Sequence, residues 1–284
     1  MSPRIVYTGA AGMLGREIGR VAAERGIAAV GWSRETCDLT DADLVARSFA
    51  AGEPEVVIHG AAWTDVDGCE SDPARAFLEN GRATANVAAA CRATGARLIT
   101  VSTDYVFSGD APTPYRETDR PGPLSVYGWS KLMAEEATLA LGERGAVART
   151  AWVYAEHGRN FLLTMLRLAA ERERLGVVDD QHGTPTYAGD LATALLELAA
   201  GEPSGIYHVT NDGATTWNGF ARAIFEETGN STAVDAVTSD AFPRPARRPA
   251  NSVLARTRSD GPRLAPWREA LVRCLARRAS AEAA

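Results

Sequence analysis

The chain has only four cysteines in 284 residues, Cys37, Cys69, Cys91 and Cys274, and no two of them form a CxxC pair. That scatter excludes a zinc ribbon and a disulfide framework, and it fits reduced thiols in a cytosolic protein. Long apolar runs are missing too. No stretch approaches the roughly 18 residues of a membrane span, and "MSPRIVYTGAAG" at the N-terminus enters a strand with neither a basic leader nor an apolar signal core. A soluble, cytoplasmic protein with no membrane partner is expected. Nor is there a basic excess: 30 Lys and Arg stand against 36 Asp and Glu, a net charge of −6, so no nucleic-acid partner is expected. The one basic cluster, "RPARRP" at 244–249, reads either as a solvated loop or as a segment that contacts an anion. Histidines are few as well, and His59, His157, His182 and His208 show no metal-ligand spacing.

What is present is an ordinary globular composition, 45% hydrophobic and 23% charged. Short runs rich in Val and Ile, "RIVYT" 4–8, "AAVGW" 28–32, "EVVIHGA" 55–61, "ARLITVS" 96–102 and "AVARTAW" 146–152, alternate with segments of helical composition at 14–25, 74–93, 130–142, 161–175 and 189–200. That rhythm predicts repeated βαβ units, hence an α/β fold with a doubly wound parallel sheet of the Rossmann kind. Residues 1–152 form the expected dinucleotide-binding domain, and 153–284 mainly a smaller α+β substrate-binding lobe. Some later segments, such as "GIYHVT" at 205–210, are expected to return to the sheet. The tail "ARRASAEAA" reads as frayed.

"YTGAAGMLG" places Gly9, Gly12 and Gly15 between the first strand and a helix, where a tight turn lets backbone approach a pyrophosphate at a helix N-terminus. At the end of the second strand, "GWSRETCDLTD" offers Ser33 and Arg34 as donors to a 2′-phosphate, which favours NADPH, with NADH possible because Glu35 is adjacent. In "VYGWSK", Tyr127 and Lys131 stand four residues apart, on one face of a helix. Lowering a phenol from its ordinary pKa by three units needs about 4 kcal/mol of phenolate stabilisation, and an ammonium with a cationic nicotinamide could supply much of it. Ser102, Thr103 and Asp104 end the fourth strand, at the sheet edge where such folds bind ligands.

Together "TGAAGMLG", "STDYVFSG", "YGWSK", "RTAWVY", "VVDDQHGTPT", "GAAWTDVDGCES" and "RPANSVL" resemble the extended short-chain dehydrogenase/reductases, and within them the dTDP-4-dehydrorhamnose reductase branch. The resemblance covers essentially the whole chain. It implies Thr103, Tyr127 and Lys131 as the catalytic group. It implies Gly9, Gly12, Met13, Leu14, Gly15, Ser33, Arg34, Asp38, Leu39, Ala61, Ala62, Asn80 and Ser102 on the cofactor side, with Tyr127 and Lys131 also touching the cofactor. Asp104, Tyr105, Trp152, Trp63, Gln181 and Thr186 fall on the substrate side. The activity so implied is NAD(P)H-dependent reduction of the 4-keto group of a nucleotide-linked 4-keto-6-deoxy sugar. The alternatives are a sugar-nucleotide epimerase or dehydratase, and a non-catalytic NADP-binding regulatory subunit of the same fold. A dehydratase would carry Glu where Tyr105 stands. Members of the branch can hold a metal with acidic residues, one just after the glycine loop, where Glu17 falls; no other position matches, so no metal ligand is expected. A monomer and a homodimer are both compatible with the sequence. Asp65, Asp67 and Glu70 read as a solvated loop and helix cap.

Overall fold

The computed structural model describes residues 4–282. Six strands form one parallel sheet: β1 (Ile5–Thr8), β2 (Ala29–Trp32), β3 (Val56–His59), β4 (Arg97–Thr103), β5 (Gly145–Thr150) and β6 (Gly205–His208). Their order is β6-β5-β4-β3-β1-β2. The chain is thus an α/β protein of Rossmann type. β3 and β5 are buried along their whole length, as strands covered on both faces must be.

The eight longer helices are α1 (Met13–Glu24), α2 (Ala42–Gly52), α3 (Ala83–Thr94), α4 (Val126–Leu139), α5 (Phe161–Glu171), α6 (Ala188–Ala199), α7 (Trp217–Thr228) and α8 (Trp267–Glu282). Alternation along the strands sorts the core into two layers. Val56, Ile58 and Ile99 pack with Ile18 and Val21 of α1 and Leu191 and Leu195 of α6. Val57 and Leu98 face the other way, onto Val45 and Phe49 of α2 and Val87 and Cys91 of α3. Helix α6, although late in the chain, therefore covers the sheet beside α1, and β6 adds to the sheet through parallel pairing of Gly205–His208 with Ala146–Arg149. A separate core joins Leu162 and Met165 of α5, Phe220 and Ile224 of α7, and Ala270 and Leu271 of α8. Among the described residues no helix is long and apolar enough to cross a membrane.

Local structure departs from the sequence expectation at three places. The helix predicted over 74–93 is broken into Pro73–Ala76, a π turn at Phe77–Arg82, and α3. The helix predicted to 175 stops at Glu171, because Arg174–Val178 pairs in parallel with Ala233–Val237. The tail is helical through Glu282 rather than frayed; Ala283 and Ala284 lie outside the described residues.

Candidate active site

Strands β1 and β3 are sheet neighbours although β2 lies between them in sequence, so the crevice beyond their C-terminal ends is where such a sheet takes a ligand. The turn after β1 meets the segment after β3 there. Gly9 has φ +74°, and a Cβ on it would stand 3.0 Å from the Ala61 backbone. A Cβ on Gly15 would stand 2.2 Å from the Gly9 carbonyl. The first glycine is required by conformation and the third by space. Gly12 is the N-cap of α1 and brings no side chain to its free N–H groups, which are left for an anion, with Met13 and Leu14 opening the helix. A cavity of about 250 Å³ is lined by Gly9, Gly12, Ser33, Arg34, Asp38, Leu39, Ala61 and Ala62, all expected on the cofactor side, and also by Trp32, Thr40 and Glu79. Arg34 reaches across this cavity to Glu79 at 2.7 Å, and Arg75 holds the same carboxylate at 2.8 Å.

The three residues expected to be catalytic, Thr103, Tyr127 and Lys131, lie at the end of β4 and on α4. Helix α4 begins at Val126, so Tyr127 sits in its first turn; Ser125 Oγ accepts from the Gly128 N–H at 3.2 Å, and Glu70 Oε1 accepts from the Val126 N–H at 2.7 Å. Glu70, read from sequence as part of a solvated loop, thus fixes the start of this helix. Gly128 allows the close approach: a Cβ there would meet the Tyr105 carbonyl at 2.3 Å. The Tyr127 ring packs edge-on against Tyr105, centroids 6.0 Å apart, in a cluster with Trp63 and Cys69. Burial pushes the phenol well above its ordinary pKa, while the facing Thr103 hydroxyl pulls it down. Desolvation lowers the Lys131 ammonium to about 8, and Glu135 one turn on raises it. In the free protein, then, burial raises the phenol, and lowering it is left to the cationic nicotinamide that the sequence reading also invoked.

Two residues expected at the cofactor turn inward. Ser102 points to the face of β4 opposite Thr103, where its Oγ donates to Glu135 Oε1 at 2.6 Å. That carboxylate also takes Arg149 Nε at 2.9 Å and Nη2 at 2.6 Å, both side chains 1% exposed. Asn80 is turned inward by the π turn: its Oδ1 accepts from the Trp63 N–H at 2.7 Å, and its Nδ2 donates to the Trp63 carbonyl and to Ser130 Oγ. A wide turn at such a place is typical of sites that need one side chain re-aimed. His59 continues the network. Thr84 Oγ1 donates to the Asn80 carbonyl at 2.6 Å, so it accepts from His59 Nε2, 2.9 Å away. His59 Nδ1 then accepts from Thr8 Oγ1 at 2.8 Å, and Thr8 Oγ1 accepts from the Ala61 N–H. His59 is neutral, its pKa driven down to about 3 by burial.

A second cavity, about 770 Å³, is lined by Gln181, by Phe161, Met165, Trp217 and Phe242, which the sequence did not single out, and by Arg244, Arg247 and Arg248 of the basic cluster at 244–249. The basic segment lies along it. Arg248 also pairs with Asp67 at 2.9 Å and faces the Tyr105 hydroxyl, so Asp67 ties the short helix Val66–Ser71, which Asp65 caps as expected, to the basic segment. Trp152 adopts φ +47° and stacks on Trp217 at 3.6 Å, Gly183 leaving room for its ring. Trp217 Nε1 donates to Gln181 Oε1 at 3.2 Å. Thr186 is fully buried in a short pairing with Val153–Tyr154 and lies on neither cavity wall. Trp63, beside Ala62, carries the Arg75 guanidinium 4.1 Å over its ring. Tyr127 lines neither cavity, but it packs with Trp63, next to Ala62 on the wall of the first, and with Tyr105, which faces Arg248 on the wall of the second. Glu17 is buried and bonded to Arg20 at 2.6 Å and His157 at 2.9 Å, and among the described residues no group of three His, Cys, Asp or Glu is placed to hold a metal.

Comparison with known proteins agrees with this architecture. The chain matches the family described as the RmlD substrate binding domain over residues 3–280. It is 46% identical to a dTDP-4-dehydrorhamnose reductase of Streptomyces griseus over 279 residues, covering 95% of this chain and 92% of that one. A crystal structure of dTDP-4-dehydrorhamnose reductase from Bacillus anthracis in complex with NADP superposes with a TM-score of 0.94 at 34% identity, covering 98% and 100% of the two chains. A UDP-glucose 4-epimerase of Thermus thermophilus, 24% identical with a TM-score of 0.78 over 98% and 99%, shares the fold. The chain belongs to the RmlD substrate binding domain family.

Proposed function

We infer that this protein is an NADPH-dependent oxidoreductase that reduces the 4-keto group of a nucleotide-linked 4-keto-6-deoxy sugar, dTDP-4-dehydro-L-rhamnose to dTDP-L-rhamnose or a related deoxysugar. The observation that carries the reading is a buried Tyr127 facing Thr103 and joined by contacts through Trp63 to the wall of a glycine-lined cavity and through Tyr105 to Arg248 on the wall of an arginine-lined one. The glycine turn fits a dinucleotide, because the space a Cβ would fill and the free N–H groups of α1 are what a pyrophosphate needs. Names borne by relatives of 46% identity over nearly the whole chain support the same substrate.

NADPH supplies the hydride that goes to the ketone carbon. Tyr127 Oη gives its proton to the carbonyl oxygen as negative charge develops there, and Thr103 Oγ1 donates a hydrogen bond to the same oxygen. Lys131 offsets the phenolate that remains until Tyr127 is reprotonated. Gly9, Gly12 and Gly15 hold the pyrophosphate, and Arg34 meets the 2′-phosphate. The arginines of the second cavity hold the substrate diphosphate.

Adding a dTDP-4-keto-6-deoxyhexose is expected to oxidise NADPH with one alcohol formed per cofactor. Tight NADPH binding without oxidation by any nucleotide ketosugar would identify a regulatory subunit instead. Arg34→Ala is expected to cost roughly tenfold more in kcat/KM with NADPH than with NADH, the loss of one charge-assisted bond to phosphate. Equal losses with both cofactors would remove the phosphate role.

A further inference from the structure

Asp104 follows Thr103 at the end of β4 and is 2% exposed. Its Oδ1 lies 3.0 Å from Thr103 Oγ1, and its Oδ2 is sealed from solvent with no hydrogen-bond partner. The Ser252 hydroxyl faces the carboxyl but is bonded to the His182 carbonyl. A hydroxyl has one proton and two lone pairs. One lone pair of Thr103 takes the Tyr105 N–H at 3.2 Å. Against an ionised carboxylate, which only accepts, the single Thr103 proton must point at Asp104 and is lost to a ketone oxygen. Against a protonated carboxyl, the second lone pair accepts from Asp104 and the proton is free for the ketone.

We infer that Asp104 is a positioning residue that works in its neutral form, turning the Thr103 hydroxyl so that its proton points at the substrate carbonyl. The inference rests on the ketone-reductase reading above. Burial, the largest influence, pushes the carboxyl up to about 6, against the downward pull of Ser252 and Thr103. The titratable groups facing it are Tyr127 from α4 and Tyr105 from its own turn, both kept neutral by burial. Beyond Tyr105, Arg248 and Asp67 pair with each other at 2.9 Å.

The test is kcat/KM with the ketosugar across about pH 5 to 9, in the wild-type protein and Asp104→Asn, whose amide N–H donates to Thr103 at every pH. The wild type is expected to fall with rising pH in two steps, one near 6 from Asp104 and one near 8 from Lys131. Asp104→Asn is expected to lose the first step, keep the second, and exceed the wild type by roughly tenfold at about pH 7.5. A folded Asp104→Asn slower than wild type at every pH would overturn the inference, because it would mean that the ionised carboxylate is needed. Carbon-13 titration of labelled aspartates in the free protein gives a readout independent of turnover. A resonance absent from Asp104→Asn with its midpoint near 6 supports the inference, and a midpoint at the ordinary value of about 4 overturns it. A wild-type chain inert toward all ketosugars would defeat the reductase reading alone, with the titration still deciding the state of Asp104.

Discussion

Tyr127→Phe is expected to bind NADPH as tightly as the wild type and to reduce the ketosugar at least about 100-fold more slowly, the range over which a positioned acid contributes. The ring of Tyr127 packs against Tyr105, Trp63 and Cys69, and phenylalanine keeps that packing. Only the O–H is removed. Because burial holds the phenol above its ordinary pKa in the free protein, it carries its proton throughout the neutral range, which is the state a donor needs. Under the proposed mechanism phenolate character would be needed only after the transfer, with the Lys131 ammonium one turn along the same helix. Quenching of protein fluorescence by NADPH and single-turnover oxidation separate binding from chemistry. Near-normal single-turnover rates would remove Tyr127 as the acid.

The sheet was legible because Val- and Ile-rich runs recur with helical segments between them, and because buried parallel strands read as continuous apolar runs. The glycine turn was legible for a related reason: only glycine fits at Gly9 and Gly15, so the residues themselves record the geometry. Side-chain direction was less legible. Ser102 and Thr103 are adjacent, yet strand alternation sends one to a buried ion pair and the other to Tyr127, and Asn80 is aimed by a π turn whose extra residue leaves no periodic mark. The strand Arg174–Val178 was hidden because its partner, Ala233–Val237, lies some sixty residues further along the chain. One signal in the composition points directly at the site. Of the 30 Lys and Arg, 29 are arginine, and the single lysine is Lys131. Arginine serves wherever a fixed cation suffices, whereas a compact ammonium whose pKa burial can bring to about 8 is found only beside Tyr127.

Glu135→Gln is expected to destabilise the protein by about 3–5 kcal/mol, since it leaves the Arg149 guanidinium buried without its counter-charge. The two side chains are each 1% exposed, and two of the guanidinium nitrogens are bonded to that carboxylate at 2.6 and 2.9 Å. Ser102 loses its charged acceptor in the same change. The pair joins α4 to β5, so the helix carrying Tyr127 and Lys131 loosens along with the core. The double variant Glu135→Leu with Arg149→Met removes both charges and is expected to recover much of the loss, because an apolar pair avoids the desolvation that the ion pair must overcome. Urea midpoints of the two variants and the wild type read this directly; a double variant no more stable than Glu135→Gln would show that packing, not the orphaned charge, sets the cost. A second consequence falls on the site. Glu135 is the group that raises Lys131 against desolvation. With it neutral, the ammonium drops below about 8, and the alkaline fall of kcat/KM in Glu135→Gln is expected to move toward lower pH, because less base is then needed to remove the charge that the proposed mechanism assigns to supporting the Tyr127 phenolate.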